Sequence, residues 1–291
     1  MKILVTGVNG QLGYDVVKEL EKREHQAVGV DRKEMDLTST EQIKECIENV
    51  NPEAIIHCAA YTAVDKAEDE EELCRRVNAI ATKEIAECAK KLDIPMIYIS
   101  TDYVFDGTKD GEYTEEDIPN PINVYGKTKY EGEVYVQELL EKYYIVRISW
   151  VFGENGNNFI DTMLRLAKER DSLNVINDQV GSPTYTKDLS RLLVDMIETD
   201  KYGIYHATNE GYCTWYEFAK EIFKVTNVDI QVNPINTSEY PTKAKRPINS
   251  KINKHKLVEN ELLILRDWKK ALDDYIIKVY RDYGINNDTN I

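Results

Sequence analysis

The sequence predicts a doubly wound α/β fold: a mostly parallel sheet with helices on both faces, then a smaller C-terminal lobe. Three observations carry this expectation. Short apolar runs alternate with amphipathic stretches through residues 1–150. The runs are continuously apolar, as expected of strands covered on both faces. A glycine-rich turn separates the first run from the first amphipathic stretch.

In order, strands are expected at Ile3–Thr6, Ala27–Val30, Ala54–Cys58, Met96–Ser100 and Tyr144–Ile148. Helices are expected at Leu12–Glu24, Thr40–Glu48, Leu73–Lys91 and Val124–Leu140. Pro52 and Pro95 fall between a helix and the next strand, where the missing N–H costs nothing. After Trp150 the rhythm loosens. Phe159–Glu169, Thr186–Thr199, Trp215–Val225 and Trp268–Tyr280 read as helices and Ile204–Ala207 as one more strand. The stretch Asn227–Lys256, with Pro234, Pro241 and Pro247, shows little periodicity, and Gly284–Ile291 reads as a frayed tail. Residues 1–150 are thus expected to form one lobe, with part of 185–225 returning to it, and 151–291 mainly a second.

Composition narrows the function classes. A chain of 291 residues with 42% hydrophobic residues can fold without disulfides or a structural metal. A formal net charge of −15 disfavours duplex nucleic acid and anionic membranes. No apolar run approaches a bilayer span, and no targeting segment is visible near the N-terminus, so the cytosol is the expected compartment. The five cysteines are widely spaced and form no CxxC or His/Cys ligand cluster; Cys46, Cys58 and Cys88 read as small core residues.

TGVNGQLG at Thr6–Gly13 lies between the first strand and the first helix. Gly7 permits a tight turn, Gly10 lets the backbone approach a diphosphate, and Gly13 lets helix and strand pack closely. Amides at the helix start then face the phosphates. Asp31 closes the second strand, where an adenosine ribose would offer its hydroxyls. Together these form a Rossmann dinucleotide site; no GK[ST] follows that would make a P-loop. Asp31 suits a free ribose, whereas Arg32 could clamp a 2′-phosphate, so NADH and NADPH both stay open.

Tyr125 and Lys129 form a Tyr-x-x-x-Lys pair on one face of the helix that follows Pro119 and Pro121. A lysine cation beside a phenol lowers the cost of ionising it, and Lys129 could also hold the nicotinamide ribose. Tyr125 would protonate a carbonyl oxygen as hydride reaches the carbon. Thr101, at the C-terminal end of a buried strand, could donate to the same oxygen.

These motifs resemble the extended short-chain dehydrogenase/reductase family, and within it the branch that reduces nucleotide-linked 4-keto sugars. The resemblance continues through AAYTAVDKAE at Ala59–Glu68, STDYVFDG at Ser100–Gly107, YGKTKYEGE at Tyr125–Glu133, RISWVFG at Arg147–Gly153, NNF at Asn157–Phe159, DQVGSPT at Asp178–Thr184 and RPINS at Arg246–Ser250. It covers almost the whole chain. It implies that Gln11 and Leu12 join Gly10 at the diphosphate. Ala59, Ala60 and Tyr61 would run beside the dinucleotide, with Asn78 in the same lobe. Thr101, Tyr125 and Lys129 would be the catalytic set, and Val64, Asp65, Val104 and Trp150 would approach the sugar. The implied substrate is dTDP-6-deoxy-L-lyxo-hexos-4-ulose, reduced at C4 to dTDP-L-rhamnose for polysaccharide synthesis. Some relatives bind Mg²⁺ through acidic side chains, in some cases at a dimer interface. A Mg²⁺ and a homodimer therefore stay open, although no ligand spacing here assigns a metal position.

Rival functions fit these residues less well. A dehydratase of the same family commonly carries an Asp-Glu pair after the threonine, whereas Thr101 is followed by Asp102 and Tyr103. A non-catalytic dinucleotide-binding subunit typically loses the tyrosine or lysine, and both are present. An epimerase stays open as the nearest alternative. Without the resemblance, Trp150 reads equally as core packing, Asn78 as a backbone bridge, Asp178, Gln179 and Thr184 as braces of a bend, Arg246 as a salt bridge, and His57 as hydrogen-bonded packing. The acidic run Glu68–Glu72 reads as a solvated helix start.

Overall fold

A computed structural model describes residues 1–280; the expected frayed tail lies outside them. The first half alternates strictly: β1 (Lys2–Thr6), α1 (Gln11–Lys22), β2 (Gln26–Val30), α2 (Thr40–Val50) and β3 (Ala54–His57). Short helices α3 (Val64–Ala67) and α4 (Glu71–Arg75) follow, then α5 (Ala81–Leu92), β4 (Met96–Thr101), α6 (Val124–Leu139) and β5 (Tyr143–Ile148). The second half comprises β6 (Val151–Phe152), α7 (Phe159–Ala167), β7 (Ser172–Ile176), β8 (Val180–Gly181), β9 (Thr184–Tyr185), α8 (Thr186–Ile197) and β10 (Gly203–His206). It closes with β11 (Cys213–Thr214), α9 (Trp215–Val225), β12 (Gln231–Ile235), α10 (His255–Glu259) and α11 (Trp268–Tyr280).

Six strands form one parallel sheet in the order β10-β5-β4-β3-β1-β2. Successive strand residues point to opposite faces, and both faces are apolar. Ile3 and Val5 pack with Leu12, Val16, Leu189 and Leu193 of α1 and α8, whereas Leu4 packs with Ile43, Ile47 and Ile85 of α2 and α5. Each of these side chains is buried. The fold is therefore the doubly wound class expected, with β10 returning from the second half to extend the sheet.

A second core, built from Phe152, Ile160, Phe218, Trp268 and Tyr275, gathers α7, α9 and α11 around small two-stranded sheets. Two local features differ from the sequence expectation. The helix expected across Leu73–Lys91 is continuous in direction but widens into a π turn at Arg76–Ile80, which carries Asn78. The stretch expected to lack periodicity contains β12, which pairs in parallel with β7 despite Pro234. A strand with a single neighbour has one edge free of ladder bonds, so a missing N–H there is tolerated.

No helix of the described residues is long and apolar enough to cross a membrane. The five cysteines are free thiols, Cys74 and Cys213 buried and the others half-buried.

Candidate active site

A cleft of about 650 Å³ opens at the C-terminal ends of the sheet strands. It lies where the strand order turns, β1 having β2 on one side and β3 on the other. Open α/β sheets bind ligands at such a reversal.

One end of the cleft is the glycine turn. Gly7 has φ +71°, and a Cβ on it would come within 2.8 Å of the Ala59 backbone. A Cβ on Gly13 would meet the Gly7 carbonyl oxygen at 2.3 Å, so helix α1 can sit on the turn only without a side chain there. Both contacts are with backbone, which cannot swing away. We expect Gly13→Ala to weaken dinucleotide binding at least about tenfold, since relieving such a clash typically costs 1–3 kcal/mol; titration of coenzyme fluorescence measures it. Helix α1 starts from Gly10 with no side-chain cap and no acidic residue in its first turn. Its positive end thus faces the cleft free of a competing carboxylate. The Gln11 side-chain oxygen is buried there without a hydrogen-bond partner. These features fit a dinucleotide diphosphate.

The other end of the cleft is built by β4 and α6. Helix α6 begins where Asn123 accepts a hydrogen bond from the Gly126 amide at 2.7 Å. The Val124 amide donates to Glu68 at 2.8 Å. Gly126 lets the helix approach the Tyr103 carbonyl, and Gly132 lets it approach Tyr98 of β4. Tyr125 and Lys129 thereby face the cleft beside Thr101 at the end of β4. The Thr101 hydroxyl donates to Asp102 at 3.0 Å and accepts from the Tyr103 amide at 3.2 Å.

Burial and the neighbouring Asp102 carboxyl push the Tyr125 phenol above its ordinary range, while Thr101 partly offsets them. The net shift is upward, opposite in direction to the lowering by Lys129 that the sequence suggests, because burial dominates. Burial lowers Lys129 to about 7, with Glu133 opposing that shift. Its ammonium sits 4.0 Å from the Tyr98 ring centre. Burial raises Asp102 to about 6, with hydrogen bonds opposing.

Of the residues singled out in sequence, the cleft brings together Gly7, Gly10, Gln11, Leu12, Gly13, Asp31, Ala59, Ala60, Val64, Thr101, Tyr125, Lys129 and Trp150. Others lie elsewhere. Val104 is fully buried against Phe105, Tyr113 and Ile252, where it cannot touch a sugar in the cleft. Asp65 is tied to Arg246 by a bond of 2.6 Å and to the Ala244 amide at 3.0 Å. Arg246 thus makes a salt bridge. Asn78 is buried, accepting from the Tyr61 amide at 2.8 Å and donating to Thr128 at 3.2 Å, so it bridges the loop after β3 to α6. Tyr61 turns its hydroxyl to Glu70 at 2.7 Å. Arg32 is exposed and leans toward Asp36 at 3.5 Å. His57 is buried between Thr6 and Thr82, and burial pushes it down to about 3, so it stays neutral.

The second half adds Trp215 and Phe159, not singled out in the sequence, to the expected Trp150, and together they form a wall. Trp150, with φ +46°, stacks on Trp215 at 3.6 Å between ring centres, and Phe159 packs on Trp215 at 4.7 Å. Asn155 donates to the Asn9 carbonyl at 2.8 Å, linking this wall to the glycine turn. Trp215 left one signal: it follows Thr214, which with Glu217 forms a capping box at the start of α9. Among the described residues, no group of three or more His, Cys, Asp or Glu side chains converges as a metal site.

A Rossmann turn and a Tyr-x-x-x-Lys helix on one cleft define a dinucleotide-dependent oxidoreductase of the short-chain dehydrogenase/reductase type. The model of the RmlD substrate binding domain matches residues 1–281, and the chain belongs to that family, the dTDP-4-dehydrorhamnose reductases. Among curated relatives, the dTDP-4-dehydrorhamnose reductase of Aggregatibacter actinomycetemcomitans is 42% identical over 97% of this chain and 99% of its own. The crystal structure of a dTDP-4-dehydrorhamnose reductase from Clostridium acetobutylicum superposes with TM-score 0.94 at 43% identity, covering 96% of this chain and 99% of that one. One from Bacillus anthracis, in complex with NADP, gives 0.92 at 42% identity, covering 95% and 99%.

Proposed function

We propose that the protein reduces the C4 carbonyl of dTDP-6-deoxy-L-lyxo-hexos-4-ulose to give dTDP-L-rhamnose, at the expense of NADPH or NADH. The observation that carries this reading is the meeting of the glycine turn with Thr101, Tyr125 and Lys129 in one cleft.

The dinucleotide, held at Gly7, Gly10, Gln11 and the start of α1, supplies hydride to the carbonyl carbon. Tyr125 gives its phenolic proton to the carbonyl oxygen, so the C=O becomes CH–OH and the phenolate regains a proton from solvent. A phenol carries its proton at neutral pH, so Tyr125 has one to give, and a cation beside it lowers the cost of the phenolate left behind. Lys129 would stabilise the phenolate that forms and would hold the nicotinamide ribose. Thr101 holds the substrate oxygen in line with the phenol. Trp150, backed by Trp215, offers the deoxyhexose an apolar face, and the second half as a whole serves as the sugar-nucleotide lobe.

The Asp31 carboxylate lines the cleft as a hydrogen-bond acceptor, so it favours a ribose with free hydroxyls. Exposed Arg32 can swing to a 2′-phosphate. Replacing Asp31 with alanine is expected to raise the NADPH/NADH ratio of kcat/KM roughly tenfold, the scale of one charge-assisted hydrogen bond lost from NADH. An unchanged ratio would contradict the placement of Asp31 at the ribose.

The reading is tested by incubating the protein with reduced coenzyme and a panel of nucleotide 4-keto sugars. Oxidation that requires the dTDP-linked 4-keto-6-deoxy sugar supports it. Sugar isomerisation without net coenzyme oxidation would instead indicate an epimerase.

A further inference from the structure

Behind the reacting end lies a buried charge pair that the mechanism above does not use. Glu133 and Arg147 are almost without solvent contact, at 0% and 2% side-chain exposure. Arg147 grips the carboxylate with both arms, Nε to Oε1 at 2.9 Å and Nη2 to Oε2 at 2.7 Å. Ser100 donates to the same Oε1 at 2.5 Å. Arg147 also lies 3.4 Å from His206 Nε2 and 5.1 Å from the centre of the Phe105 ring.

A buried ion pair is a poor way to gain stability, because desolvation consumes most of its attraction. Its placement is informative. Ser100 precedes Thr101 on β4, Arg147 stands opposite Ser100 on β5, and Glu133 is one helical turn beyond Lys129 and two beyond Tyr125. One carboxylate therefore ties the catalytic helix to the two strands beneath it.

We infer that Glu133 is a positioning residue: clamped by Arg147 and Ser100, it fixes α6 over β4 and sets a carboxylate one helical turn from Lys129. The inference rests on the proposed roles of Tyr125 and Lys129. Among the groups around Lys129, Glu133 is the one that favours its charged form as a carboxylate. From its own helix Lys129 faces Glu133; from α4, Cys74; from β3 and the residue after it, His57 and Cys58; from β4, the Tyr98 ring; and it shares the cleft with Tyr125. Burial holds the Cys58 and Cys74 thiols and the Tyr125 phenol above their ordinary values, and it keeps His57 neutral. The carboxylate among these groups is Glu133.

The sign follows. Burial favours neutral Lys129 and Glu133 favours the cation, so removing Glu133 lowers the pH at which Lys129 loses its proton. Activity that needs the ammonium then fails at lower pH.

The test compares wild type with Glu133→Gln and with the double variant Glu133→Gln, Arg147→Met, which leaves neither charge orphaned. Two readouts are taken: the alkaline limb of kcat against pH, and the titration of the Lys129 side-chain NMR signal in coenzyme-free protein, assigned through Lys129→Arg. In Glu133→Gln both should move to lower pH by about one unit or more, the scale of a nearby buried charge; in the double variant the shift keeps that direction but is smaller, because the Arg147 cation is removed as well. If Glu133→Gln does not fold, the double variant carries the comparison. Coincidence of either folded variant with wild type in both readouts would overturn the inference while leaving the proposed function standing. A wild type that oxidises coenzyme with no 4-keto sugar overturns the proposed function, and this inference with it.

Discussion

Tyr125→Phe is expected to lower turnover by at least about 100-fold while leaving coenzyme affinity nearly unchanged, the scale of lost general acid catalysis. The phenol lines the cleft and Asp102 and burial hold its proton. Phenylalanine keeps the ring, including its edge contact with Tyr103 at 5.8 Å between centres. It removes only the group that donates. Stopped-flow turnover with coenzyme binding measured on the same preparation separates the two quantities. Turnover within a fewfold of wild type would move the acid to another group, with Asp102, raised to about 6, the first to examine.

The second large effect concerns stability. Arg147→Met alone leaves the Glu133 carboxylate buried with Ser100 as its remaining partner. Breaking one side of a buried pair costs about 3–5 kcal/mol, a large share of the roughly 5–15 kcal/mol that holds a typical domain together. The urea midpoint should fall accordingly. Adding Glu133→Gln should recover most of the loss, because the orphaned charge is then gone. A single variant as stable as wild type would mean that water reaches the carboxylate, contrary to its burial.

The first lobe was legible because its signals are local. Continuous apolar runs such as Ala54–His57, the three glycines of the turn and the i,i+4 pair of Tyr125 and Lys129 each carry their geometry within a few residues. Gly7 and Gly13 could be read because a Cβ at either would strike backbone. Trp150 was legible as a candidate, but the wall it forms with Trp215 and Phe159 was not. Those three residues come from separate segments, and only their stacking in space makes a surface. Val104 shows the opposite failure: its place in STDYVFDG suggests the sugar, but the short helical turn after Thr101 points it into a small core with Phe105. The Glu133–Arg147 clamp likewise joins residues 14 apart whose pairing depends on how α6 crosses β4 and β5. Strand β12 escaped notice because Pro234 and the surrounding Asn residues argue locally against a strand, whereas β7 supplies its partner.

In the proposed reaction one cleft holds a reduced dinucleotide and a 4-keto sugar beside a proton-bearing Tyr125. Loss of reduced-coenzyme absorbance on adding dTDP-6-deoxy-L-lyxo-hexos-4-ulose, with the sugar product examined by NMR, measures this directly. One coenzyme is expected to be oxidised for each C4 carbonyl converted to an alcohol. Coenzyme that binds but is not consumed, with the ketone intact, would contradict it.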